Sequence, residues 1–357
     1  MQYSTFAAID IGSYDVILEI FEISKKQGIR SVDKICHRME LGKDTYTLGK
    51  IRPEMEEELC RVLADFVRIM EGYRVDDYRA AASSAISEAS NSLYVLGKIH
   101  QLTGLSVTVL SNSEQRFLSY KALAAMEDNF NKIIEKGTAI LDLDGGSFQI
   151  SLFDKDALVT TQNIRMGSLR IRERLAGIQS ETEHYEEMVE ELIWNEVSSF
   201  KKMYLKDRKI ENIMLIGDVF TDSVYQNIEE KTTKIISREN FNTWYEKIIR
   251  QSPMELAVKL GIPLENASLM YPSAVIYKCL IDMMGAEHIW IPGVHMTRGI
   301  AYEYAEQMKL LKGGHNFEND ILMAAKNIGK RYAVNRPHVQ NLEMTALAMF
   351  DATKKMH

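Results

Sequence analysis

One short pattern occurs twice in this chain: an apolar run, a turn that contains Asp, Gly and Ser, and a second apolar run. The first turn lies at residues 10–13 and the second at residues 142–147. A short apolar run before a glycine-containing turn, with apolar residues that resume after it, indicates strand, tight turn and strand. Because one supersecondary unit recurs, the sequence predicts two related α/β halves, each of which opens with a β-hairpin.

Hydrophobic spacing outside the two hairpins predicts further helices and strands. Helical spacing follows Pro53 and recurs in residues 114–126, 181–205 and 298–311, and strand patterns occur in residues 31–41, 79–85, 107–110, 213–217 and 288–291. We therefore place a first domain at residues 1–126 and a second at residues 127–312. Residues 313–357 form a tail of two short amphipathic helices. Such helices are marginal alone, so we expect the tail to dock onto the body or to continue into a further helical domain.

The composition places the chain among folded proteins and limits its partners. The chain has 43 Lys and Arg against 50 Asp and Glu, and the net charge of -7 argues against non-specific binding to nucleic acid. No segment approaches the roughly 18 apolar residues of a membrane span, so we expect no membrane partner and a cytoplasmic location. The cysteines Cys36, Cys60 and Cys279 lack the spacing of a zinc site or a disulfide framework.

The two turns have the composition of phosphate-binding loops. Glycine and serine leave backbone N–H groups unpaired and open to approach, which is how a backbone nest holds phosphate. The candidate phosphate-binding residues in the turns are Gly12, Ser13, Asp144, Gly145, Gly146 and Ser147. Asp10 and Asp142 end the preceding strands and are candidate ligands of Mg²⁺, an ion that neutralises phosphate charge. The alternative for each turn taken singly is a solvated turn without a ligand.

Several stretches of the chain carry a resemblance to a known family. They lie at residues 7–13, 82–91, 110–118, 142–147, 166–173 and 297–299. In these stretches the chain resembles the exopolyphosphatase and guanosine pentaphosphate phosphohydrolase family, which belongs to the superfold of actin, the sugar kinases and Hsp70. The tail is similar to the first helices of the HD-like domain that follows in longer members. The resemblance therefore covers nearly the whole chain.

The resemblance implies both a fold and an activity. The implied α/β fold has two RNase H-like actin-type domains that face each other across a cleft, followed by a short C-terminal helical segment. The implied activity is Mg²⁺-dependent removal of the terminal phosphate from polyphosphate or guanosine pentaphosphate, with a glutamate that activates the attacking water. Arg170 and Arg298 fall in matching stretches and are candidate phosphate ligands, with solvated arginines as the alternative. Superfamily relatives suggest a homodimer through the last domain.

The chain departs from the family at the catalytic glutamate. In the ungapped alignment this position is Gln115, whose neutral amide cannot take a proton from water near pH 7. Glu114 is the substitute candidate, but it requires a slip of one residue, and adjacent side chains on a helix point about 100° apart. Without that slip, Glu114 is a carboxylate at a helix N-terminus, with Ser113 as the cap.

Other family positions also differ, and most differences change the charge. Arginines are replaced by Ile17, Ile86 and Asn266, a glutamate by Gln149, an Asn-Ser pair by Tyr14 and Asp15, a glycine by Asp144, and a third Gly-Gly-Thr loop by Asp218, Val219 and Phe220. Asp15 and Asp144 would repel polyphosphate unless a cation binds to the carboxylates.

Two functions follow from these observations. The first is a Mg²⁺-dependent phosphoanhydride hydrolase that acts on polyphosphate or guanosine pentaphosphate. The second is a non-catalytic sensor or scaffold that binds polyphosphate or a guanosine nucleotide without turnover. The repeated turns favour ligand binding in both cases, and Gln115 favours the second.

Overall fold

Each predicted hairpin starts a β-sheet. The computed structural model describes residues 3–126, 130–176, 185–227, 234–311, 315 and 317–354. The strands of the first sheet are β1 (Ser4–Ile11), β2 (Asp15–Ser24), β3 (Gly28–Arg38), β4 (Asp77–Ala82) and β5 (Val107–Val109). Their order is β3-β2-β1-β4-β5, in which β1 pairs antiparallel with β2 and parallel with β4.

The second sheet repeats this arrangement. Its strands are β6 (Thr138–Leu143), β7 (Phe148–Asp154), β8 (Ala157–Ile164), β9 (Asn212–Ile216), β10 (Ile235–Ser237) and β11 (His288–Trp290). Their order is β10-β11-β9-β6-β7-β8, in which β6 pairs antiparallel with β7 and parallel with β9. Both hairpins therefore belong to three-stranded meanders that continue into parallel strands, and the prediction of two related α/β halves is confirmed.

Helices flank both sheets. They are α1 (Leu41–Leu48), α2 (Pro53–Gly72), α3 (Ser84–Ser87), α4 (Ser92–Thr103), α5 (Asn112–Met126), α6 (Phe130–Ile134), α7 (Ser168–Leu175), α8 (Tyr185–Phe200), α9 (Val219–Asn227), α10 (Arg238–Ile249), α11 (Pro253–Leu260), α12 (Leu264–Met284), α13 (Met296–Gln307), α14 (Phe317–Arg331) and α15 (Arg336–Thr353). A π-helical turn, Lys201–Leu205, follows α8. The sequence pattern extended β3 to residue 41, but α1 begins there, and residues 181–184 of the helix predicted over 181–205 lie outside the described residues.

The central strand β1 is apolar on both faces because helices cover both sides of the first sheet. Ala7 and Ile9 pack in the cluster that contains α2 and α4. Phe6 and Ala8 face the opposite way and pack against α5 and α13. Burial of one such aliphatic or aromatic side chain contributes about 1.5–3 kcal/mol. Strand burial on two faces explains why the sequence shows a continuous apolar run here instead of strict alternation.

Helix α13 returns from the second half of the chain to the first sheet. It packs against α5 and against β1, β2 and β3. The contact with α5 is close, because a Cβ on Gly299 would overlap the carbonyl oxygen of Leu118. Residues 296–307 thus lie in the predicted second domain by sequence and beside the first sheet in space. The predicted domain boundaries at 126 and 312 stay predictions.

The tail is helical, as expected, and its two helices differ in their contacts. Helix α14 docks beside β8, where Asn327 Nδ2 donates to the carbonyl of Val159 at 3.2 Å and the buried Asp320 accepts from Leu158 N at 3.3 Å. In contrast, α15 buries none of its 18 residues. Among the helices of the described part of the chain, none has both the length and the apolar character needed to cross a membrane.

The crossing of α13 and α5 predicts opposite outcomes for two glycine substitutions. Gly299→Ala should destabilise the protein by about 1–3 kcal/mol, because the new methyl group overlaps the Leu118 backbone. Gly97→Ala is the matched control within α4, where a Cβ meets nothing within 4 Å, and it should stabilise by about 0.5–1 kcal/mol. Urea unfolding measures both free energies. Equal effects of the two substitutions would contradict the described crossing.

Candidate active site

The turns of the two hairpins meet each other. A Cβ on Gly145 would lie 3.0 Å from Ser13 Cβ and 3.1 Å from Tyr14 Cδ1, so the second turn packs directly on the first. Each turn is closed by a similar hydrogen bond: Gly12 N donates to Asp15 O, and Asp144 N donates to Ser147 O, both at 2.9 Å. Both turns contribute to the wall of one cavity of about 170 Å³.

The structure brings half of the predicted site residues into the wall of this cavity. They are Asp10, Gly12, Gln115, Asp142, Asp144 and Ser147. Ser13 is fully buried behind the wall, where its Oγ lies 2.8 Å from Tyr46 Oη and 3.3 Å from Ser84 Oγ. Tyr46 also contacts the second turn, since a Cβ on Gly146 would overlap its hydroxyl. The side chain of Ser13 therefore fastens the first turn to α1 and α3, and Tyr46 of α1 contacts the second turn. Only the backbone of Ser13 remains to serve a ligand.

Arg170 braces the second turn from outside the cavity. Its Nε donates to the carbonyl of Gly146 at 2.8 Å, and its Nη2 donates to Glu88 Oε2 at 2.9 Å. Its guanidinium carbon also lies 3.8 Å from the centre of the Tyr46 ring. With these contacts made, the position of Arg170 fits a turn-bracing role better than the predicted phosphate contact.

Arg298 also lies outside the cavity wall, in the first turn of α13. It is half-buried, and its Nε has no hydrogen-bond partner in the described structure. Burial lowers the pKa of Arg298, while the nearby Glu19 opposes that effect. Neighbouring His295 and Met296 do line the cavity, so α13 directs its N-terminal end toward it.

Glu114 and Gln115 point to different places. Glu114 Oε2 accepts from Ser111 N at 2.7 Å, and Ser111 Oγ in turn accepts from Glu114 N at 3.3 Å, which is a capping box. The expected cap at Ser113 is thus corrected to Ser111. These hydrogen bonds lower the pKa of the exposed Glu114 carboxyl, and the residue borders a separate groove between the first sheet, α5 and α13.

Gln115 is the residue of this pair that reaches the cavity, and it is 9% exposed. Adjacent positions on a helix are rotated by about 100° about its axis, so the side chains of Glu114 and Gln115 point in different directions. The one-residue slip that would have placed Glu114 in the site does not occur. The expectation of Glu114 as a substitute base therefore has no support from its position.

Four aspartates surround the space between the turns, and burial raises the pKa of each. Burial raises the pKa of Asp142 to about 6 and that of Asp144 to about 7. Burial also raises the pKa of Asp10 well above its usual value, and repulsion from Asp15 and Asp144 adds to this shift. Asp15 shows a raised pKa as well, again chiefly from burial. A buried group of like charges is stabilised when a cation binds.

The donors fit the Mg²⁺ ion that the resemblance implies. Asp10 Oδ1 is buried and has no hydrogen-bond partner in the described structure, while Asp142 Oδ2 accepts from Ser119 Oγ at 2.6 Å. Among the described residues, no group of three or more His, Cys, Asp or Glu is arranged so that it could hold a metal ion. Mg²⁺ does not require such a group, because it commonly uses one or two carboxylates together with water and substrate phosphate. Asp10 and Asp142 meet this requirement.

Two basic residues of the cavity wall were missed from the sequence. Lys34 and Arg38 both lie on β3 and line the cavity, with Cys36 between them. Arg38 Nη1 contacts Asp15 Oδ2 at 2.8 Å. The only signal in the sequence was the alternation of positions 34, 36 and 38, which places the three side chains on one face of a strand.

Where the resemblance leads us to expect a third glycine loop, the chain instead begins helix α9, and Phe220 in its first turn is buried. Asp218 caps α9, since its Oδ1 accepts from Thr221 N at 3.1 Å. Phe220 is fully buried and packs against Phe241 and Tyr277. Side chains thus occupy the space that an open glycine loop would leave.

Two sheets that open with matching hairpins, and turns that meet at an aspartate-lined cavity, define an actin-like protein with two α/β halves. Residues 19–308 match the Ppx/GppA phosphatase family, and the chain belongs to this family. The fold agrees with solved members. An exopolyphosphatase from Cytophaga hutchinsonii superposes with a TM-score of 0.76 at 16% identity, covering 85% of this chain and 98% of that one. The family member from Aquifex aeolicus gives a TM-score of 0.69 at 18% identity, covering 86% and 99%.

Curated relatives match smaller shares of their own length. The bifunctional 3-dehydroquinate synthase/phosphatase of Fusobacterium nucleatum is 21% identical over 310 residues, which cover 79% of this chain and 44% of that protein. Exopolyphosphatase 1 of Mycobacterium leprae is 25% identical over 144 residues, which cover 40% of this chain and 41% of that protein. The chain thus spans less than half the length of the curated relatives it matches. The family predicted from sequence and its two-domain fold are both confirmed.

The buried Asp218 predicts a pH-dependent stability. Burial raises its pKa to about 7, against about 3.9 in an unfolded chain. The folded state therefore holds a proton that the unfolded state releases, so this contribution is present below about pH 4 and is lost as the pH rises toward 7. Asp218→Asn removes the titration and should gain stability relative to the unaltered protein between pH 4 and pH 8, by up to about 4 kcal/mol at 1.36 kcal/mol per pKa unit.

Urea unfolding at several pH values checks this prediction. Asp207→Asn, at an exposed position, is the control for loss of a charge and should show no comparable gain. A pH-independent difference between Asp218→Asn and the unaltered protein would contradict the prediction.

Proposed function

We propose that this chain hydrolyses the terminal phosphoanhydride bond of inorganic polyphosphate. The observation that carries the proposal is the contact between the two Gly-Ser turns, which line one cavity from opposite sides. The turn-closing hydrogen bonds use the N–H groups of Gly12 and Asp144. In the described structure the N–H groups of Ser13 and Ser147 make no backbone hydrogen bond, so they are free to donate to phosphate oxygens.

The size of the site supports polyphosphate over guanosine pentaphosphate. A cavity of about 170 Å³ is smaller than the roughly 300–1,000 Å³ of ordinary small-molecule sites, so it suits a phosphoryl group better than a nucleoside. Guanosine pentaphosphate remains the comparison substrate for the assay below.

Different residues would hold the cation and the phosphoryl group of the substrate. Asp10 and Asp142 would hold Mg²⁺, which supplies Lewis-acid neutralisation of phosphate charge when bound. The two turns orient the terminal phosphoryl group through their N–H groups. Ser119 keeps one oxygen of Asp142 in place through its 2.6 Å hydrogen bond. Without a cation the aspartates would repel the substrate, so binding of phosphate and of the cation should depend on each other.

Gln115 is the candidate that positions the attacking water. Its amide oxygen can accept a hydrogen bond from water, although it cannot remove the proton. Phosphoryl transfer through a loose transition state depends mostly on positioning and charge stabilisation, and a glutamine orients the water in GTP hydrolysis. We therefore expect turnover that is slow relative to an enzyme with a glutamate here, since a general base typically contributes 10²–10⁴ in rate.

A second candidate function is a sensor that binds polyphosphate without turnover. Gln115 is the specific observation in its favour, because the one residue at the expected catalytic position is neutral and the adjacent carboxylate is turned away. A homodimer and a cytoplasmic location stay predictions.

Release of inorganic phosphate tests the main proposal. Purified protein with Mg²⁺ and long-chain polyphosphate should release phosphate, guanosine pentaphosphate should be a poorer substrate, and EDTA should stop release. Asp142→Asn should lower the rate by about 100-fold or more, since it removes one candidate ion ligand. Binding of polyphosphate with release no faster than in Asp142→Asn would favour the sensor.

A matched pair of substitutions tests the role of position 115. Gln115→Glu should raise the rate of phosphate release by about 10-fold or more, because a carboxylate at this position can accept the proton. Glu114→Gln should leave the rate unchanged, because the side chain lies outside the cavity and glutamine can also complete a capping box. Loss of activity in Glu114→Gln would contradict the assignment of the two side chains.

A further inference from the structure

We propose that Lys34 and Arg38 bind the phosphate groups that follow the terminal one in a polyphosphate chain. This inference rests on the proposed function and names the path of the substrate out of the cavity. It assigns β3, the outer strand of the first sheet, as the binding edge for a linear polyanion. Neither residue lies in the stretches that carried the family resemblance.

The strand register shows how these two residues replace a missing charge. Ile17 stands on β2 where the family resemblance expects an arginine, and its direct partner on β3 is Cys36. Lys34 and Arg38 lie two residues to either side of Cys36, on the same face of the strand. Diagonal neighbours across a strand pair are about 7–8 Å apart, which long basic side chains readily span. The positive charge has thus moved from β2 to β3 while facing the same cavity.

Arg38 is held in position by two other departures from the family. Its Nη1 contacts Asp15 Oδ2 at 2.8 Å, and its guanidinium carbon lies 5.5 Å from the centre of the Tyr14 ring. The Arg38 side chain is still 34% exposed. Since a guanidinium has five N–H donors and this contact occupies part of them, Arg38 can also bind a phosphate. Tyr14, Asp15 and Arg38 therefore form one unit.

The Lys34 side chain is less constrained than that of Arg38. It is exposed, lines the cavity and forms no ion pair within the described part of the chain. Lys34 lines the same cavity as Asp10 and Asp142, the proposed metal ligands. An ammonium group on a flexible chain can follow successive phosphates as a point charge.

The charges of the other residues in the cavity wall favour a substrate path along β3. Lys34 and Arg38 are the only Lys or Arg residues among the described residues that line it, whereas five aspartates do so: Asp10, Asp15, Asp142, Asp144 and Asp222. The terminal phosphate can be shared with a cation at Asp10 and Asp142, but the phosphates beyond it need another source of positive charge. Because β3 is the edge that carries this charge, a linear polyanion that enters the cavity should lie along Arg38 and Lys34.

Steady-state kinetics with Lys34→Met test the inference. The substitution should raise the KM for long-chain polyphosphate by about 10-fold or more, the loss expected for one hydrogen bond to a charged group, and should change kcat much less. It should also change the KM for pyrophosphate less, because pyrophosphate is too short to extend along β3. Lys26→Met removes the same charge from the exposed turn between β2 and β3 and is the matched control. Equal KM values for the two variants would overturn the inference.

Protection of Cys36 gives a readout that does not need turnover. Cys36 is exposed and lies between Lys34 and Arg38, so a bound polyphosphate should slow its alkylation by N-ethylmaleimide, as mapped by mass spectrometry. Protection should be lost in Lys34→Met and retained in Lys26→Met, while the buried Cys60 serves as an internal reference. Protection without any phosphate release would support the inference and contradict hydrolysis. Phosphate release without protection of Cys36 would support hydrolysis and overturn the inference.

Discussion

The contact between the two hairpin turns is the constraint on which the rest of the structure depends. Gly145 lies so close to Ser13 and Tyr14 that a side chain at this position would press on the opposite turn. Arg170, Tyr46 and Ser84 hold this contact from outside the cavity. A small phosphate-sized space exists only because glycines let two backbones approach this closely. The cavity and its chemistry follow from that approach.

Charge balance is the second determinant of the site. Burial makes the four carboxylates harder to ionise, and repulsion from other aspartates adds to this at Asp10 and Asp144, which favours a bound cation. Both basic residues of the wall lie on β3, where Arg38 pairs with Asp15 and Lys34 forms no ion pair within the described part of the chain. The wall therefore offers positive charge at one strand beside the aspartates.

Several departures from the family turn out to be connected in space. Asp15 adds a negative charge in the first turn, and it is also the residue that holds Arg38. Asp218 removes a glycine loop and caps the helix that replaces it. Gln115 keeps the position of the expected glutamate and loses only its charge. Two of these residues thus make contacts of their own, Asp15 with Arg38 and Asp218 with the start of α9.

The sequence by itself determined the two hairpins, their duplication, the family and the identity of residue 115 as an amide. These features are local, because strand alternation, glycine turns and adjacent motif residues all occur within a few positions of each other. Only the tertiary structure decided that Glu114 caps its own helix while Gln115 enters the cavity, and that Arg170 braces a turn. It also decided that Lys34 and Arg38 join the site. Packing of one half against the other joins residues far apart in the chain, and no local pattern specifies such contacts. The register of the neighbouring strands β2 and β3 decides which of their side chains lie opposite each other.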